Sequence, residues 1–288
     1  MAHPHPRSVL THSAGGSLVP PRPSSVVAAP SRRSRPAMMG RSHAVSGALA
    51  WAVAASVPGV AGPLGLAGLP LDLRLVGLGV AAGWALVPDA DHASATVSRS
   101  APGASLLTAT AGRISGGHRH GMHSLLAVAV VWYLVPVLTA LRFPVPVVGP
   151  VAVAAVLTLP ALAFAAKAVR AAPSWRIAWA GATVVTVLLV ALADGTWAWL
   201  RVAATLGYLV HVAGDALTTG GINWLWPLRV RLPRRLRRTP LRHVWTTGGY
   251  AALPVLGSAG SWRETVLYWL MSAATIVLTA SMITAELL

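Results

Sequence analysis

Four short polar segments, separated by apolar stretches, hold six of the ten histidines and three of the seven acidic residues of the chain. The segments are RSHAVSG around His43, PDADH at 88–92, GHRHGMHS at 117–124 and HVAGD at 211–215. Neutral imidazole and carboxylate groups are ligands of divalent metals in proteins. Because the chain contains no cysteine, thiolate nucleophiles and cysteine-ligated zinc are excluded. The segments therefore predict a metal site that uses histidine and carboxylate side chains.

The pair His211 and Asp215 is separated by four positions within an apolar stretch. On a helix this spacing places both side chains on one face, where ligands from adjacent turns can share one metal ion. A hydrogen bond within the helix is the alternative for such a pair. A carboxylate near the end of an apolar span is costly to bury unless it is paired or binds a metal, which favours the metal interpretation.

Asp89, Asp91 and His92 directly follow Pro88. Two carboxylates and an imidazole so close together form a hard, anionic pocket suited to Zn, Mn, Fe or Mg. A polar helix terminus with its aspartates in a turn is the alternative.

The third segment surrounds Arg119 with three histidines, His118, His120 and His123. The imidazoles are candidate ligands, and the guanidinium could hold a phosphate or carboxylate through two parallel hydrogen bonds. A loop that touches lipid head groups is the alternative. Ser124 and Thr218 are interpreted as cap or turn residues rather than nucleophiles, because the sequence offers no dedicated base for either.

The elements that must position these segments are apolar. Hydrophobic residues make up 55% of the chain and charged residues only 10%, whereas a soluble domain carries about 25% charged residues. This deficit argues against an ordinary soluble enzyme and indicates an integral membrane protein. Apolar stretches occur near 44–61, 73–88, 124–141, 147–166, 177–193, 197–217 and 265–284. The predicted fold is therefore all-α, a polytopic transmembrane helix bundle of about six to seven spans.

The basic residues orient this bundle. The chain has a net charge of +16, and its arginines concentrate in the N-terminal tail and between 229 and 242. Because cytoplasmic loops carry the positive charge of membrane proteins, the N-terminus is predicted to be cytoplasmic in a multi-pass protein of the inner or plasma membrane. In this topology the four polar segments lie at the cytoplasmic ends of spans one, two, three and six. The bilayer thus brings segments that are distant in sequence to one depth.

Four regions follow from this pattern. They are a disordered Pro-, Ser- and Arg-rich tail at 1–38, a membrane-embedded domain at 39–228 that carries the four polar segments, a basic cytoplasmic loop at 229–263 and a C-terminal transmembrane helix at 264–288. A net positive charge can also indicate nucleic-acid binding. Arginines that flank apolar spans favour binding to anionic lipid instead. Direct nucleic-acid binding is therefore not expected. Membrane lipid is the expected partner, and the basic loop at 229–243 could also bind a protein partner.

The segments occur in an order that resembles the YdjM-like family of inner-membrane-associated proteins, assigned as metal-dependent hydrolases and in part as LexA-binding. The resemblance is carried by SHAVSG, VPDADH, GHRHGMHSL and GYLVHVAGDALTTGGINWLWP, and it covers roughly residues 41–231. It implies candidate ligands or acid/base groups at His43, Asp89, Asp91, His92, His118, His123, His211 and Asp215, and Arg119 matches the family's arginine. We assign Asp91 and Arg119 to catalysis and the other seven residues to the metal, with Asp89, Asp91 and His92 each open to either role in the sequence alone. His120 stands where the family usually has glycine, and Met122 where it usually has threonine.

The expected function is a metal-dependent hydrolase at the cytoplasmic membrane surface, with a small-molecule or lipid substrate such as a phosphate ester. The expected cofactor is a divalent metal, with Zn favoured and Mn, Fe or Mg as alternatives. Two other function classes stay open: a non-catalytic membrane scaffold that binds a regulator, and a divalent-metal transporter. Transporter sites tend to lie near the bilayer midplane, so polar segments at one face favour the enzyme.

Overall fold

The computed structural model describes residues 40–146, 149–192, 197–245 and 249–288. The predicted tail at 1–38 lies outside these residues. The described chain is mainly helical, and its long helices are α1 Gly40–Ser56, α3 Leu71–Trp84, α5 Leu125–Ala140, α6 Val153–Ala168, α7 Trp175–Leu192, α8 Ala198–Ala216 and α10 Trp262–Leu287. Three shorter helices lie between them within the described ranges: α2 Pro58–Ala61, α4 Ala104–Ile114 and α9 Leu241–Val244.

Local sequence signals set several helix ends. Ser124 precedes α5, and its hydroxyl accepts a hydrogen bond from a backbone amide of the first turn at 3.2 Å, as predicted for a cap residue. Ser261 is the equivalent cap of α10. Helix α1 ends at Ser56, earlier than the predicted span 44–61, because Pro58 begins a separate short helix. The residue before a proline is disfavoured in the helical conformation.

The predicted span at 147–166 begins later than expected. Residues Gly149–Ala152 form strand β2, which pairs antiparallel with strand β1, Arg142–Val145. Helix α6 starts only at Val153. Gly149 has a φ of +91°, a left-handed conformation that glycine adopts without steric cost and that a right-handed helix cannot contain.

Helix α3 lies at the centre of the bundle and packs against α1, α6 and α8. Gly47 of α1 and Gly207 of α8 both lie so close to α3 that a Cβ at either position would collide with the Ala81 carbonyl oxygen. Small residues permit this close approach of backbones, as is typical of membrane helices. Because His211 lies one turn beyond Gly207, the same close approach sets the position of the site relative to α3.

Contacts at the two ends define the direction of the helices. At one end, Ser42 in the first turn of α1 donates a hydrogen bond to Glu264 in the first turn of α10 at 2.7 Å. At the other end, Arg74 near the start of α3 pairs with Glu286 near the end of α10. Helices α1 and α10 therefore start at the same end, which we call the polar end, and α3 starts at the opposite end.

Within the described residues, three helical segments are long and apolar enough to cross a membrane: Leu71–Asp91, Trp175–Leu192 and Trp262–Leu287. Helices α5 and α6 are apolar but have 16 residues each, fewer than the about 20 that span a hydrocarbon core. Large apolar side chains are exposed on the outward faces of several helices, among them Leu134, Leu188 and Leu270. Exposed apolar surface of this extent is typical of contact with lipid.

Candidate metal centre

The four polar segments meet at the polar end of the bundle. His43 lies in the first turns of α1, and HVAGD at 211–215 lies in the last turns of α8. The PDADH segment forms a 3₁₀ turn at Pro88–Asp91 directly after α3, and Gly121–His123 forms another directly before α5. Two helix starts and two helix ends thus bring their polar residues together.

Four of the predicted ligands form what we call the inner group: Asp89, His123, His211 and Asp215. Each offers one ligand atom, and these atoms lie within 4.8 Å of one another. His123 Nε2 lies 3.1 Å from His211 Nε2 and 3.3 Å from Asp215 Oδ2. Asp89 Oδ1 lies 3.7 Å from His123 Nε2 and 3.8 Å from His211 Nε2. Two imidazoles and two carboxylates around one point are a donor set for Zn, Mn or Fe.

A second set, which we call the outer group, consists of Asp91, His118 and His123. His118 Nδ1 donates a hydrogen bond to Asp91 Oδ1 at 2.8 Å, and Asp91 Oδ2 lies 3.3 Å from His123 Nδ1. His123 therefore offers one ring nitrogen to each group. Asp91, predicted as a catalytic group, lies among the candidate ligands. The His118 side chain is 26% exposed and the Asp89 side chain of the inner group 14%, whereas His123 is fully buried, so His118 is the most solvent-accessible of these candidate ligands.

His211 is held from two sides. Its Nδ1 donates to the carbonyl oxygen of Ala85 at 2.7 Å, which leaves Nε2 unprotonated in the neutral ring and able to bind a metal. The His43 ring stacks on the His211 ring with 3.7 Å between centroids. His43 Nε2 lies 3.5 Å from Asp215 Oδ1, so the predicted ligand His43 borders the inner group without belonging to its four donors.

Arg119 fixes the carboxylate of Asp215, which is the second candidate ligand on α8 after His211. Its guanidinium donates to Asp215 Oδ1 at 3.2 Å, to the Thr218 hydroxyl at 3.1 Å and to the Gly221 carbonyl at 3.2 Å. Arg119 has a φ of +64°, which is uncommon for a residue other than glycine. The amide of Asn223 donates to the Arg119 carbonyl at 3.1 Å. These contacts connect the third polar segment to the end of α8. The predicted catalytic arginine thus donates its three side-chain hydrogen bonds to groups of the protein itself.

Besides His43, two histidines of the polar segments lie outside both groups, His92 and His120. His92 Nδ1 accepts a hydrogen bond from the Ser94 amide at 3.2 Å, and the His92 ring lies 4.7 Å from the His118 ring between centroids. Burial, reinforced by the neighbouring His118, lowers the pKa of His92. His120 Nε2 lies 2.9 Å from the hydroxyl of Tyr250. The structure therefore does not bring the predicted ligand His92 to the donor groups, and His120 contacts a tyrosine instead.

The carboxylates of the centre change the acidity of His123. Burial by itself lowers the pKa of His123, but the carboxylates of Asp215, Asp89 and Asp91 outweigh burial and raise this pKa well above its ordinary value. A proton on His123 balances part of the negative charge that surrounds it. A divalent cation at the same nitrogen would provide that balance in its place.

Buried atoms of the centre fit a bound cation. Several make no hydrogen bond of good geometry in the described part of the chain, namely Asp91 Oδ2, His123 Nδ1, Asp215 Oδ2 and both ring nitrogens of His43, and their contacts with one another are ion pairs of 3.3–3.5 Å. A buried polar atom without a partner costs about 1–3 kcal/mol. Ligation of a divalent metal by the inner or outer group would satisfy the atoms of Asp91, His123 and Asp215. The residues present therefore fit the metal that the sequence predicts.

Some contacts that shape the centre were not predicted. The carbonyl groups of Ala85 and Gly221 belong to the backbone, so residue type gives no signal for them. Thr218 donates to the Asp215 carbonyl at 2.7 Å, as a turn residue does, but its hydroxyl also accepts from Arg119. In the sequence, the position of Thr218 three residues after Asp215 and directly beyond the end of α8 is the feature that could indicate this contact.

Comparison with known proteins agrees with the order of the segments. The model of the YdjM inner membrane protein family matches residues 38–286, a range that contains all four polar segments. No match was found among curated proteins or among solved structures. The family match confirms the resemblance seen in the sequence and, with the apolar helices, indicates a membrane protein. Because the match extends over most of its length, the chain belongs to the YdjM inner membrane protein family.

Proposed function

We propose that this protein is a multi-pass membrane hydrolase whose divalent metal is bound by the inner group. The observation that carries the proposal is the meeting of four donors from three distant segments within 4.8 Å, with buried atoms that lack hydrogen-bond partners in the described chain. Buried carboxylates and imidazoles that serve only the fold are ordinarily satisfied by hydrogen bonds. In the inner group Asp215 Oδ2 is such an atom, and in the outer group Asp91 Oδ2 and His123 Nδ1 are, which supports a bound cation.

The orientation that we propose places the polar end and the N-terminus in the cytoplasm. The exposed arginines between 229 and 242 follow α8, whose last turns carry Asp215. Lys167 lies in the last turn of α6 and Arg176 in the first turn of α7. Positive charge gathered near one level of the bundle supports a cytoplasmic location for that level. In this arrangement six to seven of the long helices cross the membrane.

The absence of cysteine makes this topology directly testable. A single cysteine introduced as Arg237→Cys lies in the basic loop, and Ala67→Cys lies in the exposed segment between α2 and α3. In intact cells, an impermeant maleimide should label Ala67→Cys and not Arg237→Cys, whereas both should react after lysis. Labelling of Arg237→Cys in intact cells would contradict the orientation.

The reaction that we propose is hydrolysis. A divalent cation in such a site lowers the pKa of water and polarises the bond to be cleaved. The outer group supplies the proton transfer: Asp91 fixes the Nδ1 proton of His118, so that the His118 Nε2 accepts a proton at the solvent-accessible side. Arg119 acts as a positioning residue, because its donors hold the Asp215 carboxylate and the loop behind it.

The setting favours an anionic substrate that is attached to, or lies at, the membrane. The centre opens at the polar end, where the basic side chains concentrate and raise the local concentration of anions. Apolar helices beside the centre give access to amphiphiles. We therefore propose a phosphate ester or a phospholipid as the substrate class.

Hydrolysis can be tested on the full-length protein in detergent, loaded in turn with Zn, Mn, Fe or Mg. The probes are 4-nitrophenyl phosphate, bis(4-nitrophenyl) phosphate and a short-chain phospholipid. We expect metal-dependent turnover of at least one probe, loss of turnover in Asp215→Asn, and unchanged turnover in Asp72→Asn, which alters an exposed aspartate at the opposite end. Turnover that survives in Asp215→Asn would contradict the proposal.

The scaffold alternative is favoured by one feature, the basic loop. Its arginines between 229 and 242 are exposed and form no salt bridge with an acidic residue in the described ranges. They are thus free to bind an acidic protein surface or anionic lipid. If function in cells is lost in Arg237→Gln/Arg238→Gln and kept in Asp215→Asn, the scaffold interpretation replaces the hydrolase.

A further inference from the structure

A polar cavity of about 330 Å³, separate from the metal centre, lies beside the start of α1 and the end of α6. It is lined by four basic side chains, Arg41, Arg99, Lys167 and Arg170, and also by Ser94 and Trp175. None of its described lining residues is acidic. We call it the four-cation cavity.

The four basic residues come from separate parts of the chain. Arg41 lies in the first turn of α1 and Arg99 in a 3₁₀ turn that precedes α4. Lys167 lies in the last turn of α6, and Arg170 follows that helix with a φ of +64°. The fold, rather than local sequence, therefore brings these charges to one cavity.

No acidic side chain balances these charges within the described ranges. None of the four forms a salt bridge with a described acidic residue. Arg99 donates to the Ser94 carbonyl and Lys167 to the Pro173 carbonyl at 2.8 Å, both of which are neutral partners. Arg41 Nε is buried without a hydrogen-bond partner in the described chain. Because like charges around one cavity repel each other, an anion that enters it relieves this repulsion.

The chemistry of the lining selects among anions. Guanidinium groups bind the oxygens of phosphate through parallel hydrogen bonds, and an ammonium adds a point charge. The Ser94 hydroxyl offers a further polar contact, while the partly buried Trp175 provides an apolar wall. A tryptophan beside cations is typical of the interface between membrane and water. We propose that the four-cation cavity binds a phosphate group, either of a lipid head group or of a free phosphate compound.

The cavity borders the outer group of the metal centre. Ser94 lines the cavity, and its amide donates to His92 at 3.2 Å. The His92 ring contacts the His118 ring, and His118 donates to Asp91. An occupant of the cavity is thus separated from the outer group by Ser94 and His92. Phosphate binding here does not depend on hydrolysis, so it can be measured whether or not the proposed function holds.

The test uses the full-length protein in detergent with a chelator present, so that no metal contributes to phosphate binding. The probes are dihexanoyl phosphatidic acid, inorganic phosphate and, as a zwitterionic comparison, dihexanoyl phosphatidylcholine, with binding measured by calorimetry. The variant Arg99→Gln/Arg170→Gln removes two charges from the cavity and keeps a polar side chain at each position. The matched control Arg113→Gln/Arg263→Gln removes two charges from exposed positions outside both the cavity and the basic loop, and Arg263 likewise donates to a backbone carbonyl.

We expect the cavity variant to bind phosphatidic acid about tenfold more weakly or worse, because charge-assisted hydrogen bonds are lost. The control should bind it like the unaltered protein, and phosphatidylcholine should bind weakly to all three. Competition by inorganic phosphate would identify free phosphate as sufficient, whereas binding of phosphatidic acid alone would identify a lipid head group, and both results support the cavity. An equal loss in both double variants, or no loss in either, would overturn the proposal. If circular dichroism shows that the cavity variant is unfolded, Lys167→Gln serves in its place with the same expectation.

Discussion

The inner and outer groups share His123 but differ in how they are enclosed. In the inner group, His123, His211 and Asp215 are fully buried and Asp89 is 14% exposed, and His211 and Asp215 are each fixed by a contact from outside the group. In the outer group, His118 is partly exposed and is oriented by Asp91. A buried, fixed donor set suits a permanently bound ion, whereas a partly open pair suits proton exchange with substrate or water. We therefore expect substitutions in the two groups to separate metal binding from turnover.

The largest effect on metal affinity is expected for His123→Ala, because this side chain serves both groups. The variant should lose more than the about 10–100-fold in affinity that accompanies loss of a residue supporting a ligand. Competition with a chromogenic chelator measures the change. The control His243→Ala alters an exposed histidine of α9, and an equal loss in that control would show that the effect is not specific to the centre.

The next largest effect is expected for Asp215→Asn, which removes one charge from the inner group and leaves the outer group intact. Its metal affinity should fall by about 100-fold, at the upper end of the range for supporting residues. The reason is that the carboxylate charge, which would bind the metal and which pairs with Arg119, is lost. The chelator competition used for His123→Ala applies here too. Affinity equal to that of Asp72→Asn would mean that Asp215 is not a ligand.

A smaller effect is expected for Arg119→Lys. Lysine keeps the positive charge but cannot reach Asp215, Thr218 and Gly221 together, because it lacks the planar fork of donors. Metal affinity should fall by about tenfold, as for other residues that orient a ligand. The matched control Arg113→Lys changes an exposed arginine of α4. If Arg119→Lys instead abolishes turnover at saturating metal, Arg119 contacts the substrate.

The smallest effect on metal affinity is expected for His118→Gln, which alters only the outer group. Affinity should stay within about threefold, while turnover should fall by about 100-fold or more, as expected for loss of a general base. The measurement pairs chelator competition with the hydrolysis assay on one preparation. A large loss of affinity in His118→Gln would remove the division of roles between the two groups.

The sequence predicts the helices of this protein better than it predicts their ends. Apolar stretches of sufficient length locate the seven predicted spans at helices, whereas hydropathy alone misses the strand at Gly149–Ala152, whose first two residues are the turn-forming pair Gly149 and Pro150. The break after Ser56 follows from Pro58, which is a local signal. Boundaries that depend on a turn conformation, as at Gly149, require the three-dimensional structure.

The candidate site is also predicted in part by the sequence and in part only by the three-dimensional structure. The types and spacing of His211 and Asp215 predict their shared face, and the alternating direction of spans predicts which segments meet. His92 lies outside the donor groups, and its Nδ1 contacts the backbone amide and the hydroxyl of Ser94, a local pairing that the PDADH segment does not specify. The four-cation cavity combines residues more than 100 positions apart, such as Arg41 and Lys167, whose proximity arises only from helix packing.

The central claim is that distant polar segments build one metal site, and metal content tests it most directly. Full-length protein is purified in detergent, reconstituted with Zn, Mn, Fe or Mg in turn, and analysed by mass spectrometry for bound metal. We predict near-stoichiometric binding of at least one of these metals, its loss in a folded His123→Ala/Asp215→Ala variant, and its retention in the control His243→Ala/Asp72→Ala. Absence of metal from the unaltered protein under all four conditions, or undiminished metal in the His123→Ala/Asp215→Ala variant, would contradict the account.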